Sequence, residues 1–146
     1  MEFNIKANST AEVSEKCTED NTAIKLGSGK SPVYATPALV ALMENAAINA
    51  CDPQLPEGYN TVGIAMNVKH VAATPIGLTV TAKATLIEQD RKKLTFKIEA
   101  HDEAGLVGEA AVGVLERREL GAQRLGNRLA GARQRDRRQS GRERAG

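Results

Sequence analysis

The sequence predicts one α+β domain in which a long apolar helix lies against an antiparallel sheet. Residues 36–50 read as a helix that is apolar nearly all round, and residues 61–115 contain segments in which apolar and polar residues alternate. Alternating strands have one dry face that must be covered, and this helix is the cover that the sequence offers. We therefore expect the sheet to curl around the helix and enclose it.

The segments before the helix are short. Residues 11–17 alternate weakly, with Ala11, Val13, Glu15 and Cys17 on one face, and are predicted as a first strand. Residues 22–26 are a second short strand candidate, and residues 27–32 have the composition of a loop.

The helix carries its own start and stop signals. Thr36 is suited to cap its N-terminus, with Pro37 at the first helical position, and the chain should leave the helix just before Pro53. Glu44 is the single charged residue in its middle. A helix without a polar face is usually buried, and a carboxylate is costly to bury, so Glu44 is a candidate functional group. The alternative is structural, with Glu44 emerging at a sheet edge or pairing across a dimer contact.

The strands that follow are predicted from their period of two. In residues 61–70 the face predicted to be dry carries Val62, Ile64, Met66, Val68 and His70, and Gly63 falls on the opposite face. The next segments present Leu78, Val80, Ala82, Ala84 and Leu86, and then Leu94, Phe96, Ile98 and Ala100. Residues 88–93 are predicted as a polar hairpin loop, and residues 107–115 as a last strand.

Charge divides the chain of 146 residues into two parts. Residues 1–116 hold ten Lys or Arg against fifteen Asp or Glu, whereas residues 117–146 hold ten Arg against three acids. We predict a domain over 1–116 and an Arg-rich tail over 117–146, either disordered or a ragged helix. Ten arginines could contact phosphates, but no RNA-binding motif and no interleaved aromatics are present, so we do not expect nucleic-acid binding as the main function.

Several classes of protein are not expected from this composition. No apolar run is long enough to span a bilayer, and no secretory signal is visible, so we expect a cytoplasmic protein. Cys17 and Cys51 are isolated and predicted to be reduced thiols. No metal-ligand spacing, phosphate-binding loop or Ser-centred elbow stands out, so no metal is expected.

Three further residues are candidates for chemistry. His70 ends a strand and could act as an acid, a base or a donor to an oxyanion; the alternative is a core histidine bonded to a backbone carbonyl. Thr36 is explained by capping, yet a hydroxyl at a helix N-terminus also lies where negative charge is stabilised. Gly63 marks a place where a backbone or ligand could approach closely. His101, on the polar face, is interpreted as a solvated residue.

Three blocks of the sequence carry a family resemblance: residues 36–45, residues 63–80, and residues 98–105 with Val107 and Gly108. The middle block is the most specific, because His70 runs there into Ala-Ala-Thr-Pro-x-Gly. The segment from Val33 to Gly108 resembles the hotdog-fold acyl-CoA thioesterases, most closely the fluoroacetyl-CoA thioesterase-like branch.

The resemblance implies a homodimer in which a joint sheet wraps two helices, with active sites at the subunit interface. It implies a catalytic set of Thr36, Glu44 and His70, with Gly63 matching a glycine whose N–H lies near the thioester carbonyl. Glu44 would attack that carbonyl or activate water, and CoA would be part of the substrate, with no further cofactor. The alternative is a hotdog module that binds acyl-CoA without hydrolysing it.

Two departures from the family pattern affect these expectations. The loop at residues 27–34 lacks the family's aromatic-rich lid, so selectivity for a fluorinated acyl group is not expected. The last strand lacks the family's histidine, and the pattern breaks near Ala110. We hypothesise that the residues after about Glu109 derive from a shifted reading frame or another out-of-frame junction, which sequencing of the gene tests.

Overall fold

The computed structural model describes the backbone of residues 5–118. In chain order it contains β1 (Thr10–Lys16), a 3-10 turn (Glu19–Asn21), α1 (Ala23–Leu26), α2 (Thr36–Cys51), a second 3-10 turn (Asp52–Gln54), β2 (Tyr59–His70), β3 (Thr79–Asp90), β4 (Lys93–Asp102) and β5 (Gly105–Arg118). The predicted tail lies outside the described residues except for the backbone of Arg117 and Arg118, so its state, the boundary at 116 and the reading-frame hypothesis stay predictions.

The five strands form one antiparallel sheet in the order β1-β3-β4-β5-β2. The hairpins β3-β4 and β4-β5 make its centre, while β1 and β2 are its two edges. α2 packs across one face of the sheet, mostly against β1 and β3. The predicted arrangement of one long helix against an antiparallel sheet is therefore confirmed.

The core lies between α2 and the inward face of the sheet. The alternation predicted for β3 and β4 is confirmed, because Val80, Ala82, Ala84 and Leu86, and then Leu94, Phe96, Ile98 and Ala100, are all buried. From the helix the largest contributions are Leu39 and Met43, both fully buried. Small alanines on facing positions let the helix approach the sheet closely.

Two local predictions are wrong. Residues 22–26 form the single-turn helix α1 rather than a strand, because the Thr22 hydroxyl accepts the Lys25 N–H and Gly27 closes the turn at φ 74°. The predicted hairpin loop at 88–93 is mostly strand: pairing continues to Asp90 and Lys93, which leaves a two-residue turn with Arg91 at φ 55°. Continued pairing satisfies the backbone groups of these polar residues.

A bulge in β2 overturns the predicted faces of that strand. The register with β5 shifts between Gly63 and Ala65, which leaves Ile64 without an opposite residue and 48% exposed. Thr61 and Gly63 lie toward the helix before the bulge, whereas Met66, Val68 and His70 do so after it. The bulge therefore brings Gly63 to the same side of the sheet as His70, contrary to the prediction.

The helix is not buried on all sides. Pro37, Ala41, Asn45 and Asn49 form an exposed stripe at four-residue spacing, and Val40, Glu44 and Ile48 form a half-buried stripe beside it. A five-stranded sheet covers only part of the circumference of one helix, so one protomer leaves this face open. Among residues 5–118, no helix is long and apolar enough to cross a membrane.

Candidate active site

Thr36 and His70 are brought into direct contact. Thr36 Oγ1 lies 2.8 Å from His70 Nδ1, which joins the first turn of α2 to the last residue of β2. Thr36 is the first helical residue rather than the cap: the cap is Ala35, which makes no side-chain hydrogen bond. The predicted capping role of Thr36 is thus wrong, because its hydroxyl is directed to the histidine.

The environment of His70 favours a neutral ring. Burial lowers the pKa of His70 from its usual range, and the nearby Ala72 backbone partly offsets this. Its Nε2 atom is buried and meets no hydrogen-bond partner among the described residues. When the Thr36 hydroxyl donates to Nδ1, Nε2 carries the ring proton; in the other tautomer the ring donates to the hydroxyl.

An open cavity of about 240 Å³ adjoins this pair. Its walls come from α1, the loop after it, the start of α2 and the segment that follows β2: Ala23, Ser28, Val33, Tyr34, Thr36, His70, Val71, Ala72 and Ala73. The lining is mostly small and apolar, so the polar atoms of Thr36 and His70 are the candidates for orienting a ligand there.

Glu44 and Gly63 form a second contact. A Cβ placed on Gly63 would lie 3.2 Å from Glu44 Oε2 and 3.6 Å from its carboxyl carbon. The absence of a side chain at Gly63 is what leaves room for the half-buried carboxylate. The sequence marked this glycine as a point of close approach, and the group that approaches it is Glu44.

The four predicted site residues therefore form two separate pairs in one protomer. Thr36 and Glu44 are eight residues apart on α2, which corresponds to about 12 Å along the helix axis. The described contacts join Thr36 to His70 and Glu44 to Gly63, and none of them joins one pair to the other.

A polar cluster missed at the level of sequence anchors the start of α2. Tyr34 is 1% exposed, and its hydroxyl lies 2.6 Å from Glu15 Oε2 and 3.2 Å from the Ala38 carbonyl oxygen. Asn21 donates its side-chain N–H to Glu15 Oε1 at 3.0 Å. Glu15 was in phase with the apolar face of β1, and an acid in that position was the signal for a buried partner.

The segment after His70 is held by a second polar contact. Thr74 is fully buried and donates its hydroxyl to Asp102 Oδ2 at 2.7 Å, while Asp102 Oδ1 accepts the N–H groups of Ala104 and Gly105. The Thr74 carbonyl accepts the Tyr34 N–H at 2.8 Å. The sequence carried no periodic signal for this residue, because it lies outside the regular elements.

Among residues 5–118, no three His, Cys, Asp or Glu side chains are grouped so that they could hold a metal ion. Cys17 and Cys51 are buried free thiols. Burial raises the pKa of Cys51 to about 11, with smaller contributions from Asp52 and other neighbours. His101 is exposed, as predicted.

Comparison with known proteins identifies relatives of this chain. A family model described as fluoroacetyl-CoA-specific thioesterase matches residues 17–115. The fluoroacetyl-CoA thioesterase of Streptantibioticus cattleyicolor is 42% identical over 76 residues, which are 52% of this chain and 55% of that protein. The chain thus spans about half the length of this curated relative.

Solved structures agree with the fold. A thioesterase superfamily member from Thermus thermophilus has a TM-score of 0.82 at 24% identity, covering 90% of this chain and 97% of its own, which shows the fold alone. A variant of a fluoroacetyl-CoA-specific thioesterase, in complex with fluoroacetate and CoA, has a TM-score of 0.71 at 30% identity, covering 77% and 95%. The predicted hotdog fold is confirmed.

Proposed function

Because this chain belongs to the fluoroacetyl-CoA-specific thioesterase family, we propose that it hydrolyses a small acyl-CoA thioester to the free acid and CoA. The observation that carries the proposal is the 2.8 Å contact between Thr36 and His70 beside an open cavity, with Glu44 against Gly63 on the same helix. Thr36, His70 and Glu44 are the side chains that the family resemblance implies for catalysis.

The proposal includes a homodimer. In the part of the chain that the structure describes, β2 is an edge strand of twelve residues and α2 leaves its stripe of Pro37, Ala41, Asn45 and Asn49 exposed, so we expect these two surfaces to meet a second copy. If two β2 edges pair antiparallel about an axis near Met66, His70 of one protomer comes opposite Gly63 of the partner subunit.

Such a dimer would complete the site. The Thr36–His70 pair of one protomer would meet Glu44 of the partner subunit, because Glu44 lies against Gly63 within its own chain. Two equivalent sites would form, each with residues from both chains. The separation of about 12 Å between Thr36 and Glu44 within one chain is a reason to expect a shared site.

The chemistry follows from the groups present. Either the Glu44 carboxylate removes a proton from water as the water oxygen attacks the carbonyl carbon, or it attacks that carbon itself and water then cleaves the anhydride. Collapse of the tetrahedral intermediate breaks the C–S bond. In the water route the leaving sulfur takes the proton that Glu44 removed from water, relayed through His70 and Thr36; in the anhydride route His70 and Thr36 relay a solvent proton to the sulfur, and the water that cleaves the anhydride returns a proton to solvent. The Gly63 N–H is proposed to donate to the carbonyl oxygen.

The acyl group is proposed to be small but not restricted to fluoroacetate. The loop before α2 offers one aromatic residue, Tyr34, and its ring is buried with the hydroxyl at Glu15 rather than over the cavity. With no aromatic cover from this loop, we expect the cavity to admit acyl groups of different shape. A cytoplasmic location is part of the proposal, supported by the two free thiols.

The direct test is release of CoA thiol from short, branched and aromatic acyl-CoAs. We expect Glu44→Gln, which keeps the size of the side chain, to lower kcat by about a hundredfold or more. Glu99→Gln is the matched control, because Glu99 is an exposed acid on β4 that is 3.9 Å from Lys97. If the wild-type protein and Glu44→Gln both match a buffer blank over all substrates, the protein binds acyl-CoA without hydrolysing it, or not at all.

Mixed dimers test the shared site. We expect Glu44→Gln and a Thr36→Val/His70→Gln double variant each to lose nearly all activity, whereas a mixed dimer would hold one site with all native groups. Random pairing at equal amounts should restore about one quarter of wild-type activity, because half of the dimers carry one intact site of two. A site contained in one chain would give no more activity than the two parents.

A further inference from the structure

Thr74 is the residue that links the two segments carrying the Thr36–His70 pair. We infer that Thr74, fixed by Asp102, is a positioning residue that sets the contact between the Thr36 hydroxyl and the His70 ring. The expected effect on kcat rests on the proposed function, whereas the expected effect on the Thr36–His70 contact does not. Thr74 itself touches neither the reacting atoms nor the substrate.

Thr74 is held in place by Asp102. Thr74 lies in the irregular segment between β2 and β3, where a side chain is normally exposed, yet it is 0% exposed. Its hydroxyl donates to Asp102 Oδ2 at 2.7 Å, and Asp102 is held in turn because its other oxygen accepts two backbone N–H groups of the β4-β5 turn. Because the hydrogen bond is charge-assisted and Asp102 is itself held, the Thr74 side chain has little freedom to move.

Thr74 in turn contacts the segment that leads into α2. Its carbonyl oxygen accepts the Tyr34 N–H at 2.8 Å, and the next residue, Pro75, forms an isolated bridge with Val33. Tyr34 stands two residues before Thr36, so this contact helps to fix the entry to α2, together with the bond from the Tyr34 hydroxyl to Glu15 and the bond from the Ala35 N–H to the Asn21 carbonyl oxygen. The segment that leaves His70 is separately fixed, because the Val107 carbonyl accepts the N–H groups of Val71 and Ala72.

The consequence concerns the relative position of the two catalytic groups. His70 is attached to the sheet through β2 and Val107, whereas Thr36 is connected to the same loop through Tyr34 and Thr74. Without the Thr74 hydroxyl its carbonyl is no longer fixed through Asp102, so the entry to α2 loses one of its anchors, while its contacts with Glu15 and Asn21 remain. The distance between Thr36 Oγ1 and His70 Nδ1 then varies more widely, although neither residue has been changed.

The experiment compares variants at position 74 that differ in the hydroxyl. Thr74→Val keeps the shape of the side chain and removes the donor, whereas Thr74→Ser keeps the donor. Thr81→Val is the matched control, since it removes the 2.8 Å bond to Ser14 between β1 and β3, away from the site. Kinetics are measured where each variant is fully folded by thermal melting, and ¹⁵N chemical shifts of the His70 ring are recorded on the same samples.

We expect Thr74→Val to lower kcat by about tenfold or more with KM changed less than threefold, and to shift the His70 ring resonances toward those of a freely exchanging imidazole. Thr74→Ser and Thr81→Val should keep the kcat and the His70 ring resonances of the wild type. If Thr74→Val does not fold, Thr74→Ala and Thr74→Ser form the comparison, because they differ only in the hydroxyl.

A purely structural role gives a different result. The melting temperature then falls in Thr74→Val while kcat and the His70 resonances stay unchanged, which overturns the inference, as does equal behaviour of the Ala and Ser variants. Absence of thioesterase activity in the wild-type protein refutes the proposed function but leaves the ring resonances to decide the role of Thr74.

Discussion

Replacement of Gly63 by alanine perturbs the carboxylate of Glu44 without touching it chemically. The new Cβ would lie 3.2 Å from Glu44 Oε2, whereas non-bonded atoms prefer about 3.5 Å or more. The carboxylate must therefore retreat by about 0.3 Å. It can do so, because it is the end of a flexible, half-buried side chain rather than backbone.

The expected magnitudes differ for catalysis and stability. A displacement of 1 Å can cost about a hundredfold in rate, so about 0.3 Å, scaled logarithmically, corresponds to about a fourfold loss of kcat. The free energy of unfolding should stay within about 1 kcal/mol of the wild type, because alanine lowers the entropy of the unfolded chain by an amount that offsets the strain. Activity should thus fall while stability does not.

The assay pairs thiol-release kinetics with denaturant unfolding, and Gly113→Ala is the control. A Cβ at Gly113 meets its nearest neighbour, Ala65 Cβ, at 3.4 Å, an ordinary contact on the same pair of strands. We expect wild-type kcat and stability from Gly113→Ala. The reasoning is refuted if Gly63→Ala keeps full activity, or if both alanine variants lose activity equally.

Two further predictions concern stability. Gly108→Ala should destabilise the protein by about 1–3 kcal/mol in denaturant unfolding, because its Cβ would lie 2.8 Å from the Lys69 carbonyl oxygen, and backbone cannot give way as a side chain does; unchanged stability would contradict this. Because burial lowers the pKa of His70 below its usual 6.5, the unfolded chain takes up this proton more readily than the folded protein, so stability contributed by neutral His70 is present above pH 6.5 and is lost as the pH falls below it. Thermal melts of the wild type and His70→Gln between about pH 5 and pH 8 should show a shallower acid slope in the variant, and equal slopes would refute the assignment.

Much of the fold could be predicted because its signals are local. The alternation in β3 and β4 follows directly from which side chains meet α2, so Val80 to Leu86 and Leu94 to Ala100 were assigned correctly. The helix was recognised over its full length because its apolar content and Pro53 mark it without tertiary information. Its open face was not recognised, since a helix sequence does not say how much of its circumference the rest of the chain covers.

The site was less accessible to the same reasoning. Val62, Ile64, Met66, Val68 and His70 alternate without interruption, so nothing in their sequence reveals that the register with β5 slips at Ile64. Thr36 is as suitable for a cap as for a partner of His70, and local chemistry cannot indicate a partner that lies 34 residues away along the chain. The family resemblance placed Thr36 and His70 in one set, which periodicity could not do, and their shared role in catalysis stays a prediction.

The bulge at Ile64 has a consequence for how this site tolerates change in chain length. Gly63 and His70 are separated by seven positions, an odd number, and in a regular strand an odd separation directs two residues to opposite faces. They share a face only because Ile64 has no opposite residue on β5, which shifts the alternation of side chains by one position. Deletion of Ile64 would remove the unpaired residue and leave a separation of six, so Gly63 and His70 would keep a common face, whereas a single-residue deletion that left the bulge in place would turn one half of the site outward.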